Sequence, residues 1–359
     1  MIEITEVPLP EEATHPGWVA YARMSARSSE EALGPSGTVI TPAELLAKAR
    51  PGEQCGNLLV RRWLAHLDGE PVGFARLVVD RIDDPTGGTV LVHVEPEHRG
   101  RGFGKALART LREAIPATAD HLGAEVMSSV PAEGEGTVPA VSGGAVAADH
   151  PGVRLALDNG FALAQALWFQ RLELAAAASR WEPLMAKARA VAGEGYEVRT
   201  FEGVPPEELR PGIAVLKQRM STDAPRGEVI LPETRWDADR VADRYESMGL
   251  TVRVLLAVVV HRPTGEVVAL NELMSARLRP DAPLHQQDTL VLPSHRGRRL
   301  GLLVKAANLM AAHAAVPEAT AVFTFNAHEN QHMLAINDEL GFERRGVLGL
   351  FQTVRGGDG

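Results

Sequence analysis

Residues 94–107 read VEPEHRGRGFGKAL, and residues 291–304 repeat the phrase as VLPSHRGRRLGLLV. Both fit V-x-P-x-H-R-G-R-x-x-G, follow an apolar run, and open into apolar residues at helical spacing. A glycine-rich turn leading from a strand into a helix is a ready anion site. The first helical N–H groups lack an intrahelical partner, and the helix dipole adds partial positive charge there. Arg99 and Arg101, or Arg296 and Arg298, can add charge-assisted hydrogen bonds. The pattern therefore points to a pyrophosphate cradle built twice. Other phosphate motifs fit worse: no G-x-x-x-x-G-K-[ST] is present, and Gly100, Gly102 and Gly104 give G-x-G-x-G instead of G-x-G-x-x-G.

Working outward, the two halves share one order of elements. In the first, a hairpin turns at Asp68-Gly69, TVLVHVEP is a third strand, and GRGFGKALARTLREAI is a helix with Ala106, Leu107, Leu111 and Ile115 on one side. A strand AEVMSSV, a helix-like HPGVRLALDNG and a β-rich FALAQALWFQRLEL follow. The second half repeats this with a hairpin at Pro263-Thr264-Gly265, the strand HQQDTLVLP, the helix GLLVKAANLMAAH, the strand TAVFTFNAH, the helix NQHMLAINDELG and a closing FERRGVLGLFQTV. The first half is longer only where a Pro/Gly/Ala-rich insertion, PAEGEGTVPAVSGGAVAADHPG, precedes its second helix. The expected organisation is a duplicated α/β (α+β) chain. It has a first domain at 1–176, an Ala-rich helical linker at 177–195 ending at Gly193-Glu194-Gly195, and a second domain at 196–359.

The chain has 359 residues, 45% hydrophobic, and a net charge of −9, which argues against a general nucleic-acid or anionic-membrane binder. Cys55 is the only cysteine, so no intrachain disulfide or thiolate metal cluster is expected, and no metal site is read from the sequence. The start MIEITEVPLPEE lacks the basic and apolar regions of a signal peptide, and the longest aliphatic run, VLLAVVV, is far short of the ~20 residues of a membrane helix. A cytoplasmic protein is expected.

These motifs, in this order, resemble the GNAT superfamily of acyl-CoA N-acyltransferases, in a tandem two-domain arrangement like that of mycothiol synthase. The resemblance implies two mixed, mostly antiparallel twisted sheets flanked by helices, with acetyl-CoA or another acyl-CoA as co-substrate. In the family pattern R-x-x-G-x-G, Arg99, Gly102 and Gly104 stand complete, with Gly100, Arg101 and Lys105 beside them. The second copy has Arg296, Gly297, Arg298, Leu300 and Gly301, but Arg299 stands where glycine is expected, and arginine tolerates positive φ poorly. The family's N-x-x-A-x-x-L-Y-x-x-x-G-F is matched by NQHMLAINDELGF, with Asn330 in the asparagine position near pantetheine. Asn337 replaces the thiolate-protonating tyrosine, and in the first half Asp149 and Ala156 stand at the two positions. The resemblance also places thioester-binding backbone around Val94 and around Leu290, Val291 and Leu292.

Acyl transfer needs an amine that loses a proton, a stabilised oxyanion and a departing thiolate. Glu272, His285 and Asp288 are candidate bases beside the second loop, and Asn326, Asn330 and Asn337 form a candidate polar wall for pantetheine or substrate. For each, a bland reading stands alongside: solvent-facing strand carboxylates, a loop histidine, an asparagine helix cap. The first half offers only His93 in its strand. The expectation is thus an N-acyltransferase of class EC 2.3.1, catalytic in its second half, with the first half structural. It would transfer an acyl group to a primary amine of a small metabolite by direct attack on the thioester. The alternatives are a donor on an acyl carrier protein, a larger acyl group, or a non-catalytic acyl-CoA sensor; monomer and homodimer are both compatible with the sequence.

Overall fold

The computed structural model describes residues 2–34, 41–223, 225–230, 234–277 and 279–354. The first half runs β1 (Glu3–Glu6), α1 (Pro16–Leu33), α2 (Pro42–Gln54), β2 (Leu58–Leu67), β3 (Glu70–Asp80), β4 (Gly87–Val94) and α3 (Phe103–Ala114). β5 (His121–Ser128), β6 (Thr137–Pro139), β7 (Ala145–Ala147), α4 (Pro151–Asp158) and β8 (Ala162–Glu173) complete it, and α5 (Leu174–Ala192) follows. The second half runs β9 (Tyr196–Glu202), α6 (Arg210–Asp223), α7 (Ala238–Gly249), β10 (Val252–His261), β11 (Glu266–Ala276) and β12 (Leu284–Val291). It ends with α8 (Leu300–Ala315), β13 (Ala321–Ala327), α9 (Gln331–Leu340) and β14 (Glu343–Val354).

Two compact units emerge, cut elsewhere than the sequence suggests. The first is Met1–Leu167 with Arg226–Pro232 and Gly346–Gly359; the second is Trp168–Pro225 with Glu233–Arg345. The segment read as a linker at 177–195 is mostly α5, whose Leu174, Ala177, Trp181 and Ala188 are buried in the second unit's core. From Gly346 onward, the chain's last strand belongs to the first unit.

In the first unit the strands lie in the order β1-β2-β3-β4-β5-β14. β14 runs antiparallel to β5, from Val347 opposite Ser128 to Val354 opposite His121. The Asp68-Gly69 turn closes the β2–β3 hairpin with both residues at positive φ, 52° and 88°, as a two-residue turn of this hand requires. Phe103, Leu107 and Leu111 of α3 pack on Trp63, Ala75 and Leu77. On the other face Trp18 and Tyr21 of α1 pack on Phe74, with Tyr21 edge-on to Phe74 at 5.3 Å. α2 starts in a capping box, Thr41 accepting from the Glu44 N–H while the Glu44 carboxylate accepts from the Thr41 N–H.

In the second unit the order is β8-β13-β12-β11-β10-β9. The aliphatic run VLLAVVV is β10, paired on both edges and buried throughout, which explains its lack of alternation. Only β4–β5 and β12–β13 pair in parallel among the registered strand pairs. No described helix is long and apolar enough to cross a membrane.

At the start of β5, His121 sits between two carboxylates, Nδ1 2.6 Å from Asp120 and Nε2 3.1 Å from Asp84. Burial alone would lower its pKa, but the two carboxylates outweigh burial and raise it. A folded pKa above the unfolded value stabilises fully below about 6.5, and that contribution is lost as pH rises through the folded pKa. His121→Gln is therefore expected to cost more stability at pH 6 than at pH 9. Urea titrations of both proteins at the two pH values check this; equal losses would refute it.

Candidate functional site

Both repeated loops fold alike. Arg99 Nε donates to the Val94 carbonyl at 2.9 Å, and Arg296 Nε to the Val291 carbonyl at 3.1 Å. The rest of each guanidinium meets an acid on the first helix of its own half: Arg99 to Glu31 at 2.6 Å, Arg296 to Asp223 at 3.5 Å. Both arginines thus fasten the loop to the strand end, and Arg101 and Arg298 are left as the exposed loop cations. Gly102, at φ 92°, caps α3; its counterpart Arg299 takes the same left-handed conformation, at φ 55°, and pairs with Glu339. The first intrahelical bond of α3 runs from the Ala106 N–H to the Gly102 carbonyl, leaving Phe103, Gly104 and Lys105 N–H groups ahead of it. In α8 that bond is Leu303 to Arg299, ahead of which stand Leu300, Gly301 and Leu302.

Beyond each loop the parallel strands part. In the first unit β4 and β5 pair only from Gly87 opposite His121 to Val90 opposite Ala124, so Leu91–Val94 face an open gap. Glu95 N–H donates back to Val72 on β3 at 3.0 Å. Alternation along the strand then turns Val94 N–H and C=O to the gap, where Arg99 takes the carbonyl and the N–H remains aimed inward. Leu292 N–H donates to Val268, so the same argument turns Val291, not Leu290 or Leu292, toward the gap of the second unit.

The first unit's gap opens into a cavity of about 260 Å³, walled by Leu91 and Val92, by Ala108 and Leu111 of α3, and by Leu155 and Ala156 of α4. Small residues make this room. In the second unit, at the same spacing from the loop arginine, Lys305 stands where Ala108 does; at the same spacing from the closing Gly-Phe, Met333 and Asn337 replace Gly152 and Ala156. Lys305 is fully buried and donates to Asn337 Oδ1, with Met333 Sδ 3.7 Å away and the Phe342 ring 5.4 Å away. Asn337 Nδ2 in turn donates to Gln170 at 2.8 Å, and Asn326 Nδ2 approaches the same oxygen at 3.4 Å. Asn337 and Asn326 are thus bound to neighbouring side chains, and Asn330 caps α9 by accepting from the Met333 N–H at 3.2 Å.

Beside the first gap lies His93, nearly buried and tilted against Phe74 at 5.7 Å. Burial, aided by Arg99 and Arg27 and opposed by Glu31, lowers its pKa to about 4, so the imidazole is neutral at pH 7. Its Nε2 has no hydrogen-bond partner among the described residues. His150 caps α4 through Nδ1, and burial and Arg99 lower its pKa too.

In the second unit the structure brings Glu272 and Asp288 together around a residue that sequence reasoning missed. Lys217 of α6 donates to Glu272 and, at 2.8 Å, to Asp288, with Trp236 and Tyr245 rings about it. Burial opposes its charge, but the two carboxylates outweigh burial and raise its pKa. Glu272 is 1% exposed, so it faces Lys217 and not solvent; burial pushes its carboxyl up. Asp288 is about one-third exposed, on a bulge where β12 slips register against β11. His285 lies apart from this cluster, stacked on Phe323 at 4.4 Å and bonded to Gln287. A sequence signal for Lys217 does exist: it follows Ile213 by one helical turn, on the buried face of α6.

Similarity agrees with this geometry. The model for the acetyltransferase (GNAT) family matches residues 41–131. A tandem GNAT protein from the clavulanic acid biosynthesis pathway, solved without AcCoA, is 23% identical over all of both chains, with a TM-score of 0.71. A GCN5-related N-acetyltransferase from Sphaerobacter thermophilus is 16% identical over 98% of this chain and 95% of its own, with a TM-score of 0.61. No curated protein sequence matches. Loop, parted strands and family model coincide in the first half: residues 41–131 match a GNAT acetyltransferase domain, and the whole chain shares its fold with a tandem GNAT protein.

Proposed function

We propose that the protein transfers an acyl group from acyl-coenzyme A to a small primary amine, and that the first unit holds the donor. The observation carrying this reading is the open gap at Leu91–Val94, which leads from the strand end beside the loop at Arg99–Gly104 to a cavity lined by Leu91 and Val92, while Lys305 and Asn337 occupy the matching positions of the second unit. The residues fit the cofactor. Phe103, Gly104 and Lys105 N–H groups, with Arg101, would hold the pyrophosphate, and coenzyme A would supply the activated thioester.

Val94 N–H would then meet the thioester oxygen as it gains charge. The amine nitrogen forms a bond to the carbonyl carbon, the carbon–sulfur bond breaks, and the amine's proton passes to a base while the thiolate leaves. Neutral His93, with Nε2 unpartnered, can accept a hydrogen bond from the incoming amine. In the second unit Lys217 already sits as an ammonium between Glu272 and Asp288, so those carboxylates are taken by a group of this chain's own.

Calorimetric titration of coenzyme A into the intact chain, Arg101→Glu and Arg298→Glu tests the assignment. Arg101→Glu should weaken binding at least about tenfold, since an exposed cation becomes an anion at a phosphate site, and Arg298→Glu should leave it unchanged. The reverse pattern would move the donor to the second unit, where the sequence alone had placed catalysis.

A further inference from the structure

The first unit's cavity extends past the place where a thioester would sit. The gap that faces Val94 N–H ends at Val90, where β4 and β5 pair again. Yet the cavity is also lined by Val90, Leu122 and Ala124 of that paired stretch, and by Leu111 and Ile115 far along α3. α3 rises about 1.5 Å per residue, so Ile115 lies roughly 18 Å from the helix start that would hold the pyrophosphate. Phosphate end, thioester and deep cavity thus fall in one sequence along the donor. What lies beyond the thioester is the acyl group.

We propose that this cavity is an acyl-chain site and that the preferred donor carries an apolar acyl group longer than acetyl. This rests on the reading that acyl-coenzyme A binds the first unit. The cavity of about 260 Å³ takes in the thioester gap at Leu91 and Val92 as well as the space beyond it. It is several times the roughly 30 Å³ that a water occupies in the liquid, so there is room for more than an acetyl group. The deep lining is largely aliphatic, from Val90, Leu111, Ile115, Leu122 and Ala124, so it rewards chain length, while Arg112, Glu125, Asn159 and Thr353 also border the cavity. In the second unit Lys305 and Asn337 put a polar network at the positions of Ala108 and Ala156.

The test is calorimetry on the full chain with coenzyme A and its acetyl, butyryl, hexanoyl and octanoyl thioesters. Affinity should rise about fourfold per added methylene up to the capacity of the cavity and then level off. Ala124→Leu, at the deep end, should abolish the octanoyl advantage while free coenzyme A binds as before. If that variant does not fold, the chain-length series on the natural protein decides alone. Equal affinity for acetyl and octanoyl thioesters, with coenzyme A still bound through Arg101, would overturn the acyl-chain site only. Failure of coenzyme A to bind, or binding indifferent to Arg101→Glu, would overturn the donor assignment and this inference with it.

Discussion

Truncation after Arg345 should unfold the first unit and spare the second, although the deleted residues lie at the far end of the sequence from the first half. β14 completes the first unit's sheet from Val347 opposite Ser128 to Val354 opposite His121. Val347, Leu348 and Phe351 are buried there. Burying a side chain of this size is worth about 1.5–3 kcal/mol, so the three together contribute about 4.5–9 kcal/mol. A domain's whole stability is about 5–15 kcal/mol, and the deletion also leaves β5 with an unpaired edge. Hydrogen exchange should show β2 to β5 losing protection while β10 and β11 keep theirs. Undiminished protection in β2 to β5 would show that the first half closes its own sheet.

The two buried lysines of the second unit should respond in opposite senses. Lys217→Met strands Glu272 and Asp288 without their cation, and removing one partner of a buried ion pair costs about 3–5 kcal/mol. Among the described residues no carboxylate pairs with Lys305, and burial lowers its pKa to about 7. Its folded pKa lies below the unfolded value near 10.4, so between pH 7 and 10 the unfolded chain binds more protons and stability rises with pH. The slope from this residue is about 1.4 kcal/mol per pH unit, and Lys305→Met should remove it. Lys217, whose pKa is raised, adds no slope in that window. Urea titrations at pH 7.5 and 9.5 separate the two: Lys217→Met should lose stability equally at both, and Lys305→Met should lose the difference between them. An unchanged pH slope in Lys305→Met would show that its amine stays charged when buried.

The sequence alone carried the duplication and the local chemistry of each loop. V-x-P-x-H-R-G-R-x-x-G, the Asp68-Gly69 turn and the helical spacing after Gly102 and Arg299 act through neighbours a few residues away, so the strands, turns and helix starts they encode are readable in one dimension. Even the Arg299 departure was legible as a question, and the structure answers it with a left-handed cap at φ 55°. Three matters were decided only in three dimensions. Sheet membership was one: β14 carries the same apolar pattern whichever sheet it joins, and its partner β5 lies more than two hundred residues away. The fate of Glu272 was another, because a carboxylate reads alike as free base or buried ion until Lys217 is found beside it. The last was the slot between the parted strands. Ala108 and Lys305 occupy equivalent places on equivalent helices, and whether such a place is a wall or a plug depends on volumes contributed by α4 or α9 and by both strands. Short-range patterns fix elements because the interactions behind them are local. Pairing, burial and empty space are sums over distant residues, and they exist only once the chain has folded.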